Sequence, residues 1–156
     1  MPRSGRSSQA YPFRGVFHCD IKSVNILVDE DLHLMLADFQ GKWISEDGEV
    51  MHSWVGGPTR YLCPRELEYE PTPETDLFAL GPTIYFIMKG YGVFPDIGEG
   101  KNVWEDKIAS RFSTGVFLDD PHACCLIMWK CWECRYSSAS EARGYQSCRE
   151  IAIWLE

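Results

Sequence analysis

The stretch His18-Cys19-Asp20-Ile21-Lys22-Ser23-Val24-Asn25-Ile26-Leu27-Val28-Asp29-Glu30-Asp31-Leu32-His33-Leu34-Met35-Leu36-Ala37-Asp38 decides how this chain folds. Val24 to Val28 is a short run rich in β-branched residues, and Leu32, Leu34 and Leu36 alternate with His33 and Met35. Between them lies the polar trio Asp29-Glu30-Asp31. The pattern predicts a β-hairpin, two short strands joined by turn-tolerant acids. In an antiparallel hairpin the start of the first strand and the end of the second lie side by side, about 5 Å apart. Asn25 and Asp38 fall at those two ends. Two hard oxygen ligands at one point, with the rest of the shell left to water and phosphate, suit magnesium better than zinc. Asp20 stands just upstream on a predicted loop, with Lys22 beside it. A carboxylate there can accept a hydroxyl proton, and Lys22 can neutralise charge on a transferring phosphoryl group. The plainer alternative is a set of ordinary loop acids.

The run from His18 to Asn25, followed by Asp38-Phe39-Gln40, resembles the catalytic loop and magnesium-binding motif of eukaryotic protein kinases. The lysine two residues after Asp20 follows the serine/threonine-kinase pattern. The resemblance implies Asp20 as catalytic base, Lys22 as phosphoryl stabiliser, and Asn25 and Asp38 as Mg2+ ligands for bound ATP. It gives His18 and Phe39 structural roles. Downstream, Gly57 to Pro64 resembles the end of a kinase activation segment, and Thr75 to Gly81 the start of the central helix of the large lobe. Cys131-Trp132 and the amphipathic Ser147–Leu155 resemble the last two helices. The implied fold is mainly α, a kinase-like large lobe with a small hairpin, spanning 10–156 behind a disordered tail at 1–9. Only 17 residues precede His18, and none spells a glycine-rich loop or a strand lysine. The expectation is therefore a large lobe without its small lobe, nearly inactive alone.

Composition agrees with one domain. The 156 residues are 45% hydrophobic, enough to build a core, and the formal charge of −8 argues against nucleic acid or an anionic membrane as partner. No apolar run reaches the length of a membrane span. Met1 to Gln9 lacks the apolar middle of a signal peptide. Seven cysteines, an odd count without a secretory signal, suggest reduced thiols in the cytosol or nucleus. Cys131 and Cys134 form a lone C-x-x-C, read as small buried side chains rather than half of a zinc site.

Thr75 to Lys89 is apolar almost all round, which predicts a helix through the middle of the domain. Asp76, in its first turn, is either a dipole-favoured acid or, as the resemblance implies, an acceptor for the backbone of the catalytic loop. Asp120-Pro121 reads as the start of a helix over His122–Trp132, and Gly90, Gly92, Pro95, Gly98 and Gly100 mark a loop-rich join. Pro82 inside the central helix is expected to cost ~3 kcal/mol.

Departures from the family pattern carry their own expectations. Cys19 replaces the usual arginine before the catalytic aspartate, so ordering by a phosphate in the activation segment is not expected, and Ser45, Ser53 and Thr59 are weak phosphosites. Gln40 takes the place of a glycine. Thr59 lies one position late for the threonine that bridges base and lysine. Arg65 stands where a glutamate belongs and Glu141 falls in the region of its arginine partner, which predicts a swapped ion pair, with Glu66 as the competing explanation for the acid.

Three functions fit these residues: a protein serine/threonine kinase represented by its large lobe, a silent kinase-like lobe that binds a protein partner, or an unrelated metal-dependent enzyme. Without a small lobe, the floor around Ile26, Leu36 and Phe39 is expected to face water, which predicts self-association or a partner.

Overall fold

The structure, a computed structural model, describes residues 17–39, 43–44, 50–51, 58–64, 72–100, 103–118 and 124–135. Strand β1 (Ile26–Val28) pairs antiparallel with β2 (Leu34–Leu36), in the register Ile26 to Leu36 and Val28 to Leu34. Asp29 folds the turn: its carboxylate accepts the amides of Asp31 and His33 at 2.9 and 2.8 Å. A second small pair, β3 (Trp43–Ile44) and β4 (Val50–Met51), follows. The first strand is shorter than the sequence suggests, because Ser23–Asn25 forms a 3₁₀ turn ahead of it.

Helix α1 (Pro73–Lys89) is the axis of the fold. Pro73 occupies its first turn, where a missing N–H costs nothing, and Thr75 Oγ1 accepts the Thr72 amide at 3.0 Å. Gly90, at φ 79, ends it in the left-handed conformation. Leu77 through Tyr85 are all buried, and they face two apolar clusters. One gathers Ile21, Leu77, Leu80, Ile84, Ile127 and Cys131. The other gathers Phe78, Tyr85, Phe94, Ile108, Phe112 and Trp132. Burying each large side chain contributes about 1.5–3 kcal/mol, so a helix covered all round holds the lobe together. Its last turn differs from the expectation: Phe86, Ile87 and Met88 are exposed. Pro82 sits fully buried in a helix that continues past it.

Residues 90–100 form the loop-rich join that the glycines predict, and helix α2 (Trp104–Ser113), which the sequence pattern did not announce, follows it. Helix α3 (Cys125–Trp132) starts later than predicted, with Cys124 as its cap, and Asp120 and Pro121 lie outside the described residues. The tail 1–9, Gln40, Ser45, Ser53, Arg65, Glu66, Glu141 and the Ser147–Leu155 helix also lie outside them. Among the described residues, no helix is long and apolar enough to cross a membrane.

Candidate active site

The loop that carries Asp20 is fastened from below. Ile21 is buried in the first apolar cluster against α1. Asp76, in the first turn of α1, accepts the His18 amide at 2.7 Å and the Cys19 amide at 2.9 Å. Burial pushes the Asp76 carboxyl above the usual carboxylate range, while the two amides and the nearby His18 pull it back. Cys19 is held at φ 63, a left-handed conformation that costs a non-glycine residue about 1 kcal/mol.

His18 knits the loop to the hairpin. Its Nε2 lies 3.0 Å from the Ala37 carbonyl, and its Nδ1 accepts the Asp20 amide at 3.3 Å. That pair of partners selects the tautomer with its proton on Nε2. The imidazole also packs on the Phe39 ring, centroids 4.5 Å apart. Phe39 is otherwise 58% exposed, and Ile26 and Leu36 are only half-buried.

Two polar side chains converge on Asp20, which is itself buried. Lys22 Nζ lies 2.6 Å from Asp20 Oδ2. Asn25 Nδ2 donates to the same oxygen at 3.0 Å and to the Asp20 carbonyl at 2.8 Å. Both Asn25 side-chain bonds use the amide nitrogen and not Oδ1. The Lys22 and Asn25 side-chain bonds to the Asp20 carboxylate both fall on Oδ2 rather than Oδ1. Ala37 N donates to Asn25 O at 2.8 Å, which brings Asp38 to the same end of the hairpin. Asp38 is exposed and adopts φ 61. The donor set of one amide and one carboxylate oxygen fits Mg2+, which keeps several water or phosphate ligands of its own. Among the described residues, no group of three or more His, Cys, Asp or Glu side chains is placed to hold a metal.

Two anchors escaped the sequence reading. Thr83, fully buried on α1, shares its hydroxyl proton between Ala79 O at 2.8 Å and Ile21 O at 3.3 Å. A threonine in the middle of the helix's buried apolar run was the available signal. Arg60 is buried in the 3₁₀ turn Thr59–Tyr61, where its guanidinium donates to the carbonyls of Val93, Phe94 and Ile97 and pairs with Glu99. It fixes the segment 58–64 against the loop between α1 and α2. Among the described residues, the Asp20 carboxylate bonds to Lys22 and to Asn25, and Thr59 makes no bond to Asp20 or Lys22.

The protein kinase domain family matches residues 12–134 of the chain. This chain belongs to that family. Its similar kinases include a probable serine/threonine-protein kinase of Dictyostelium discoideum, 32% identical over 63% of this chain and 19% of that protein. The human NUAK family SNF1-like kinase 2 is 29% identical over 73% of this chain and 18% of its own length. The CBL-interacting protein kinase 29 of Oryza sativa subsp. japonica is 32% identical over 73% of this chain and 25% of its own. The chain thus spans a quarter or less of the length of these curated kinases. Kinases as a family use ATP and Mg2+ and act on protein substrates, and this fold is a kinase-like large lobe with its small hairpin.

Proposed function

We propose that Asp20, Lys22, Asn25 and Asp38 form the large-lobe half of a serine/threonine kinase site, which transfers the terminal phosphoryl group of magnesium-ATP to a protein hydroxyl. The observation that carries this reading is the convergence on Asp20 Oδ2 of both Lys22 Nζ and Asn25 Nδ2. A carboxylate used only for structure has no need of a lysine and an amide on one oxygen. Asp20 Oδ1 would accept the proton of the substrate hydroxyl. Lys22 would shift from its carboxylate toward the charge that grows on the transferring group. Asn25 Oδ1 and the Asp38 carboxylate would hold Mg2+, which supplies charge neutralisation at the phosphates.

Positioning supplies most of this catalysis, and the 156 residues spell neither a glycine-rich loop nor a strand lysine to clamp ATP. On their own, these residues are expected to turn over very slowly. Placing the small lobe of one of the similar kinases ahead of residue 12 tests the reading. The fusion should phosphorylate serine and threonine peptides, and Asp20→Asn should reduce that rate by about 10²-fold or more. A fusion that folds and binds nucleotide yet shows no transfer dependent on Asp20 would sink it.

One observation favours a silent, partner-binding lobe instead. Val24, Leu27, Val28, Leu32, Met35 and Phe39 are all exposed on or beside the hairpin. An apolar surface of that kind fits a protein neighbour. The same fusion separates the two readings, since a silent lobe would leave it without transfer.

A further inference from the structure

The sequence pairs Cys131 with Cys134 by spacing, but the fold brings Cys134 to a different cysteine. The sulfur of Cys63 lies 3.7 Å from the sulfur of Cys134, across 71 residues of chain. Cys63 follows the Arg60-anchored turn, is half-buried, and packs beside the aromatic cluster. Cys134 is exposed in the turn that follows α3, at φ 51, with its amide on the Cys131 carbonyl at 3.1 Å. Cys131 itself faces the core and is fully buried, and burial pushes its thiol up to about 12. It therefore carries almost no thiolate at neutral pH, and the thiolate is the reactive form.

We propose that Cys63 and Cys134 are a reversible redox pair, which a peroxide oxidises to a disulfide that clips the segment 58–64 to the end of α3. The sulfurs need only close from 3.7 Å to the bonded distance of about 2.05 Å, and one of them rides on an exposed turn. The Cys134 thiolate attacks a peroxide oxygen, so an S–O bond forms, the O–O bond breaks and hydroxide leaves. The Cys63 thiolate then attacks the Cys134 sulfur, an S–S bond forms, and the S–O bond breaks with loss of a second hydroxide. In sum two thiols and one hydrogen peroxide give one disulfide and two waters. The sulfurs are oxidised and the peroxide oxygens reduced. A small dithiol reverses the step by exchange. The pair stands independently of whether the chain transfers phosphate.

The test uses the whole chain, folded and reduced, treated with one equivalent of hydrogen peroxide. The remaining thiols are then alkylated and the peptides mapped without reduction. The expected result is one crosslinked pair of peptides containing Cys63 and Cys134, lighter by two hydrogens and released by dithiothreitol. Cys63→Ser and Cys134→Ser should each abolish it, while Cys125→Ser should leave it. Proximity also predicts a rate at least about tenfold faster in the folded chain than in chain unfolded by urea. Recovery of Cys63 and Cys134 as separately alkylated or singly oxidised peptides would overturn the proposal. So would a crosslink that forms as fast in the unfolded chain.

Discussion

Asp76 Oδ2 accepts the His18 amide at 2.7 Å, and with its second bond to Cys19 it ties the first turn of α1 to the loop that carries Asp20. The carboxyl does this from a largely dehydrated position, which raises its pKa above the ordinary aspartate value. A pKa raised on folding means that the folded chain holds the proton more tightly than the unfolded one. The carboxyl's contribution to stability is then greatest below the unfolded value and is lost as pH rises through the folded one. Asp76→Asn cannot titrate. The stability of wild type relative to Asp76→Asn is therefore expected to grow as the pH falls from neutrality toward that unfolded value, measured as urea midpoints across a pH series. A gap that shrinks with falling pH would contradict the assignment. Asp76→Ala leaves both amides without this acceptor and is expected to cost about 2 kcal/mol or more at neutral pH.

Gly81 is needed for a close approach between helices. A Cβ added there would meet Trp132 Nε1 at 2.5 Å and Cδ1 at 2.6 Å. In an exposed helix, alanine in place of glycine gains about 1 kcal/mol. Here the overpacking of α1 on α3 is expected to outweigh that gain, for a net loss of about 1–3 kcal/mol. Chemical denaturation of Gly81→Ala decides it, since a raised midpoint would mean that the two helices have room to spare.

Arg60 should not tolerate lysine. Its planar group serves three carbonyls and a carboxylate at once and lies 5.9 Å from the Trp104 ring centroid. An ammonium offers three donors from a single point and cannot reproduce that fork. Arg60→Lys is expected to lose about 1–3 kcal/mol, with backbone amide exchange rising first in segment 58–64. Unchanged exchange there would show that the segment is held by something else.

Val103 marks a place where the fold works against its residue. It caps α2 at φ 61, a conformation that β-branched side chains rarely adopt, and it is exposed. Val103→Asn should relieve the backbone and stabilise the chain by about 1 kcal/mol, read as a raised melting temperature. A lowered one would show that the valine's own contacts matter more than its backbone.

The hairpin was legible because its alternation and acidic turn are local, whereas the register Ile26 to Leu36 is set by the wider turn that closes between the Asp29 amide and the His33 carbonyl. The central helix was legible because a run with no polar face has to be buried. Helix α2 carried a readable stripe, Trp104, Ile108 and Phe112 at intervals of one turn, but Val103 before it offers no side-chain cap, so no local start signal announces the helix. The site divides the same way. Asp20, Lys22 and Asn25 lie within one local loop, so their spacing already implied a meeting. The burial of Arg60 and the approach of Cys63 to Cys134 depend on chain folding over 30 residues or more, and no local pattern records them. Pro82 runs against helix propensity in a segment whose packing on both sides fixes its conformation regardless.

The most direct measurement is a titration of isotopically labelled chain with manganese-ATP, in which the paramagnetic ion replaces magnesium and broadens the NMR signals nearest to it. Broadening centred on the Asn25 side-chain amide and the Asp38 backbone amide, abolished in Asp38→Asn, is the predicted result. Broadening spread over other acidic surfaces, or unchanged in Asp38→Asn, would contradict a metal-nucleotide site at the mouth of the hairpin.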